Sequence, residues 1–262
     1  MSVYTTEIAS DKIVSDNPIH QRLLKAYYLA EDYLRGDLLE VGCGEGRGVD
    51  LFKGRVNSFT ALDKIQSAID RLQERYPEYQ FIQDNIPPFS KLKESSYDLV
   101  VSFQVIEHIR ADRKYLEEIY RVLRPGGIAL LTTPNIKMTL TRNPWHIREY
   151  TAKQLTTLTS EVFDEVEMKG ITGNDKVIRY YEMNKASVRK ITRFDILNLQ
   201  YRLPASLLKI PYDLLNRLNR NKLKATNDEL VNTITHEDYL LTEEADQALD
   251  LFCILRKKNC TT

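Results

Sequence analysis

A glycine-rich turn set between a strand-like run and a helical pattern constrains this chain more than any other feature. Asp37-Leu-Leu-Glu-Val41 is short and apolar, Gly42-Cys-Gly-Glu-Gly-Arg-Gly48 follows at once, and helical spacing resumes through Val49, Leu51 and Phe52. The alternation then repeats. Residues 58–62 read as a strand, 65–75 as a helix ended by Pro77, and 79–83 as a third strand before the Pro87-Pro88 break. Residues 97–102 and 128–133 are apolar runs of buried-strand type, separated by a helix over 111–123 that Pro125-Gly126-Gly127 stops. A helix over 18–34, with Asn17 as its N-cap and Pro18 at its first position, precedes the series, and strands over 162–170 and 249–256 close it. Strands alternating with helices require right-handed crossovers. The pattern therefore predicts an α/β fold, doubly wound around a mainly parallel sheet with seven strands.

Composition narrows the class of function. The chain of 262 residues is 42% hydrophobic and 28% charged, with no uninterrupted apolar run long enough to span a bilayer. Its first residues carry early acids and no apolar stretch after a basic start, which does not read as a secretory signal. Three cysteines (Cys43, Cys253, Cys260) without a C-x-x-C pair fit neither a disulfide framework nor a structural zinc site. The expected location is cytoplasmic. Lys+Arg and Asp+Glu both number 37, so net charge favours no nucleic-acid partner. The distribution is uneven, however. Between Lys185 and Lys224 there are ten basic residues against Asp195 and Asp213, whereas Asp228 to Asp250 holds eight acids and no Lys or Arg.

In an open parallel sheet, ligands bind beyond the carboxyl ends of the strands where strand order reverses. After the first strand, glycines let a ligand approach the backbone. After the second comes Asp63, a carboxylate able to accept from two ribose hydroxyls, and after the third Asp84-Asn85, polar groups suited to an adenine edge. Together they describe a nucleoside cradle. A dinucleotide site would place its third glycine at position 47, which is Arg47. The run Glu40-Val-Gly-Cys-Gly-Glu-Gly46 instead resembles the motif of class I S-adenosylmethionine-dependent methyltransferases. The likeness extends through Leu62-Asp63, Asp84, Tyr97 to Phe103, Val105-Ile-Glu-His108 and Arg121-Val-Leu-Arg-Pro-Gly-Gly-Ile128. It implies a Rossmann-like methyltransferase fold with S-adenosyl-L-methionine as cofactor. Glu40, Gly42, Cys43, Gly44 and Gly46 would lie at the methionine end, Asp63 and Lys64 at the ribose, Asp84 and Asn85 at the adenine, and Gln104 toward the methyl donor.

Methyl transfer is an in-line displacement, in which the protein positions the acceptor and manages its proton. His108, after Glu107, and His146, in the long loop Asn143-Pro-Trp-His-Ile-Arg-Glu-Tyr150, are the candidate bases. Small-RNA 2′-O-methyltransferases are similar here, with a Glu-x-x-Glu-His element and a later His that hold a divalent metal. Glu107, His108 and His146 match, but Gln104 replaces the first acid, so no metal is assigned.

The stretch 171–247 reads as a basic, amphipathic helical insert before the last strand of one domain spanning 1–262. Its segment 188–223 is expected either to cover the pocket as a lid or to lie on a membrane surface at the inner face. The arrangement resembles the type 11, UbiG-like methyltransferases, in a bacterial group acting on sugars, glycolipids or quinone-like lipids. The expected activity is O-methylation of such a small-molecule or glycolipid acceptor. Metal-assisted RNA methylation and a cofactor-binding scaffold without turnover are the alternatives.

Overall fold

The computed structural model describes residues 13–259, so Cys260 and the N-terminal stretch tested for a signal lie outside the described residues. The chain begins with α1 (Asn17–Ala30), then β1 (Asp37–Val41), α2 (Val49–Phe52), β2 (Ser58–Asp63), α3 (Gln66–Arg75) and β3 (Gln80–Gln83). It returns through β4 (Tyr97–Phe103), α4 (Asp112–Val122), β5 (Leu123–Pro134), α5 (Ala152–Ser160) and β6 (Glu165–Gly173). Four helices follow, α6 (Asp175–Thr192), α7 (Leu199–Arg202), α8 (Ala205–Thr226) and α9 (Asp228–Thr233), before β7 (Tyr239–Thr242) and β8 (Asp250–Arg256). The strands form one sheet in the order β3-β2-β1-β4-β5-β8-β6-β7. From β3 to β5 every pairing is parallel, and β8 runs antiparallel to both β5 and β6. Strand order reverses between β1 and β4, which places a crevice at their carboxyl ends.

Successive residues of the central strands feed opposite cores, as the two-residue period of a strand requires. Leu38, Leu99, Val101 and Leu130 pack on one face, and Leu39, Val41, Val100 and Leu131 on the other. Leu38 and Leu39 are both fully buried, each contributing about 1.5–3 kcal/mol of burial free energy. Both faces being covered explains why these strands read as continuous apolar runs.

The structure corrects the sequence reading at several points. The sheet has eight strands, the addition being β7, which pairs antiparallel with the outer edge of β6. Part of the expected insert, 171–247, thus belongs to the sheet, and its helices lie between β6 and β7. The expected helix over 18–34 is α1 followed by a 3-10 turn, Glu31–Tyr33. Its N-cap position is Asp16, because the Asn17 side chain donates instead to the carbonyls of Val231 and Ile234 at 2.7 and 2.9 Å. The helix after the glycine turn is a single turn, left at Lys53 (ψ 136°) and Gly54 (φ +72°). Pro125-Gly126-Gly127 does not merely stop a helix: it lies within β5, where pairing with β4 shifts register.

Candidate active site

The first strand delivers Glu40, 2% exposed, two residues before the glycine turn. The Tyr27 hydroxyl donates to its Oε1 at 2.8 Å, while its buried Oε2 has no hydrogen-bond partner. Burial pushes this carboxyl up to about 7, against the pull of the Tyr27 hydrogen bond. An unpaired buried carboxylate oxygen is costly and suits a ligand ammonium. The turn itself folds onto β2, since Gly42 N and Cys43 N donate to the Leu62 carbonyl at 2.7 and 3.3 Å. Gly42 has φ +81°, and a Cβ there would come within 2.3 Å of Val105. At Gly44, φ +53°, a Cβ would meet nothing within 4 Å, so the turn presents bare backbone to open space.

Asp63 closes the same corner. Its Oδ2 accepts from Gly44 N at 2.8 Å and its Oδ1 from Ile65 N at 2.9 Å, so this acid reaches the glycine turn directly. Asp84 is brought beside it by a backbone bond, Asp84 N to the Asp63 carbonyl, 3.0 Å. The Asp84 carboxylate turns to its own loop, accepting from Asn85 N and Ser90 Oγ. Lys64 and Asn85 stand exposed at the rim, Cys43 is buried with its thiol pushed up by burial, and Gly46 packs against Leu72. An ammonium acceptor, a bare-backbone cradle and a carboxylate for hydroxyls thus converge, which fits S-adenosylmethionine.

Beyond the crevice, the ends of β4 and β5 are joined by stitching two loops together. Gln104 leaves β4 in the left-handed region, φ +58°, held by a bond from its N–H to the Thr132 carbonyl. The 3-10 turn Ile106–His108 follows, and the Glu107 carbonyl accepts from Ile147 N at 2.7 Å and Arg148 N at 3.3 Å. His108 Nδ1 donates to the Trp145 carbonyl at 2.9 Å, which leaves Nε2 with the lone pair. The rings of His108 and His146 then meet edge to face, centroids 5.0 Å apart. Burial, with His146 beside it, lowers His108 to about 4, so it is neutral at neutral pH. Burial raises the fully enclosed Glu107 to about 7, and its Oε2 accepts from Thr133 Oγ1. His146 Nδ1 pairs with Glu149 at 2.6 Å, and its Nε2 faces the Asn143 amide nitrogen at 2.8 Å.

One ligating atom each from Glu107, His108 and His146 lies within 4.8 Å of the others, so the three residues to which the sequence reading gave no metal do converge as a ligand set. A cavity of about 250 Å³ opens here, lined by Gln104, Glu107, His108, His146 and Glu149. Arg22 of α1, Tyr180 of α6 and Asn216 of α8 line it as well. Sequence reasoning missed Glu149 as a partner of His146, although its spacing, three residues on, was a visible signal. It also missed Arg22 and its ion pair with the buried Asp250 (3.1 Å), which join opposite ends of the chain and leave no local trace.

Residues 39–131 match the methyltransferase domain family. A probable S-adenosylmethionine-dependent methyltransferase of Mycolicibacterium smegmatis is 39% identical over 137 residues, covering 50% of this chain and 52% of the relative. A ubiquinone biosynthesis O-methyltransferase of Rickettsia conorii is 26% identical over 133 residues, covering 49% and 44%. The chain spans about half the length of the curated relatives it matches. An S-adenosylmethionine-dependent methyltransferase structure from Thermotoga maritima superposes with a TM-score of 0.56 over 92% of each chain at 13% identity, a likeness of fold. S-adenosylmethionine, which the glycine turn and its carboxylates fit, is the molecule on which the Mycolicibacterium relative is named as dependent. Over residues 39–131 the chain is therefore similar to methyltransferase domains, among them that of the Mycolicibacterium relative.

Proposed function

We propose that the protein methylates an oxygen atom, a hydroxyl of a sugar, glycolipid or quinone-type molecule held in the cavity beyond Gln104. The observation that carries this reading is the one cavity that Gln104, next to the glycine-turn crevice in this reading, lines together with His108, His146 and Glu149. When bound, S-adenosyl-L-methionine supplies an electrophilic methyl group on a sulfonium and leaves as a neutral thioether. The protein's share is then to hold the acceptor in line and to take its proton. His146 receives that proton at Nε2, where the acceptor hydroxyl replaces the Asn143 amide, and Glu149 holds the Nδ1–H and stabilises the imidazolium. His108, held near 4, is a weak base; its role is to bind the Trp145 carbonyl and fix the loop. A quinone-type acceptor agrees with the ubiquinone biosynthesis enzymes among the relatives. Calorimetry with S-adenosylhomocysteine tests the cofactor half, and mass spectrometry of sugars and lipids methylated by the pure protein tests the acceptor half. Absence of binding removes the reading altogether.

A second reading of the acceptor end is favoured by the Glu107, His108 and His146 cluster. Two imidazoles oriented by outer partners and one carboxylate form a set suited to a transition-metal cation. Such an ion would acidify the acceptor hydroxyl in place of a protein base. Turnover lost on dialysis against a chelator and regained with one added divalent metal selects this reading; turnover that survives the chelator selects His146.

A further inference from the structure

The helices between β6 and β7 carry two unlike faces. At roughly 100° per residue, Leu207, Ile210, Leu214 and Leu218 of α8 fall on one stripe. They are exposed at 63%, 81%, 59% and 57%. Tyr212, Asn216 and Asn219 fall on the opposite stripe and line the cavity. The preceding segment continues the apolar surface with Phe194, 73% exposed, and Ile196, 85% exposed. Arg189, Lys190, Arg193 and Arg202 stand exposed around it. The two acids of the stretch are turned to other work: Asp195 accepts from Leu199 N and Gln200 N, and Asp213 accepts from Trp145 Nε1. An apolar surface of this size in water is costly, and single exposed leucines do not account for it.

We infer that residues 189–218 form a docking surface for an anionic lipid bilayer, with the apolar stripe of α8 in the acyl boundary and the arginines and lysines at the headgroups. Charge selects the occupant. A basic apolar helix is attracted to an anionic lipid surface, whereas a second copy of this chain would bring the same cations face to face. No helix among the described residues is long and apolar enough to cross a membrane, so the contact is interfacial. Because α8 has the bilayer on one side and the cavity on the other, docking holds the cavity one helix diameter, ~10 Å, from the membrane surface. Resting on the function proposed above, this narrows the acceptor to a hydroxyl borne by a membrane lipid.

Flotation of the full chain with vesicles of equimolar phosphatidylglycerol and phosphatidylcholine, against phosphatidylcholine alone, tests the surface. Binding to the anionic vesicles alone, weakened by salt, is expected. The combined change Leu207→Ser, Ile210→Ser and Leu214→Ser should weaken it at least about tenfold while S-adenosylhomocysteine binding is retained. Arg189→Glu with Arg193→Glu gives a second variant with the same expectation should the first fail to fold. Failure of the intact protein to bind either vesicle, or equal binding by a folded variant, overturns the inference. So does a concentration-dependent dimer in sedimentation velocity that the serine changes abolish without any vesicle binding. Loss of cofactor binding by the intact protein would instead strike the functional reading, leaving the flotation result intact.

Discussion

The glycine turn and the helices α6 to α8 solve opposite problems with the same twenty residue types. At the turn, side-chain bulk is removed so that backbone and two carboxylates can surround one small molecule, and every key residue lies within about one strand-helix-strand unit. In the helical region, side chains are retained and sorted onto two faces, and the inner face is tied to residues some two hundred positions away. The buried Asp16 holds Arg217 at 2.8 Å and Arg220 at 3.0 Å. One region depends on local chemistry, the other on long-range anchoring.

The sharpest way to break that comparison is to test whether chemistry is confined between the two regions. His146→Ala is expected to lower turnover about 10²- to 10⁴-fold with cofactor affinity unchanged, read by steady-state kinetics beside calorimetry. Loss of cofactor binding instead would tie His146 to the cofactor end. Asp16→Ala leaves two arginines without their buried carboxylate and should cost roughly 3 kcal/mol of stability. Hydrogen exchange should rise over 205–226 while β1 and β4 stay protected; uniform loss of protection would show that the two regions do not open separately.

Asp63→Ala should weaken S-adenosylhomocysteine binding by about 1–3 kcal/mol, with the exchange of α8 unaltered. The smallest effect is the dependence on pH through Glu40. Its carboxyl, raised by burial from 4.5 to about 7, stays protonated in the folded protein where the unfolded chain has already released the proton. Stability from this group therefore falls as pH rises from about 4.5 to 7, and affinity for the cofactor ammonium rises as pH passes 7. Glu40→Gln should flatten both trends, seen in thermal shifts across pH; an unchanged profile removes Glu40 from the ammonium site.

What could be read from the sequence follows the same division. β1, β2, β4 and β5 announce themselves because strands buried on both faces carry mostly apolar residues without strict alternation, and Asp63 because its distance from the glycine turn is set by one crossover. His108 and His146 were legible as candidates, yet nothing local says that the Glu107 carbonyl would staple their loops together. β7 escaped notice because four residues on a sheet edge carry too little alternation, Leu240 and Leu241 both being exposed. α8 runs through Pro211, a residue that ordinarily interrupts a helix, since Leu223, Asn219 and the two arginines hold it against the body of the protein. Asn17 was read as a helix cap, but distant carbonyls claimed its amide. Tertiary partners overrode the local signal.

The buried Asn135 at the end of β5 shows what this architecture allows. Its amide donates to the carbonyls of Ala245, Asp246 and Ala248, while its own N–H reaches the Leu249 carbonyl. A single side chain thus fastens the return path of the chain into β8, whatever precedes it. The helices between β6 and β7 therefore take no part in the pairing of β1 to β5, and that stretch of polypeptide can reshape its wall of the cavity while the crevice at the carboxyl ends of β1 and β4 stays in place.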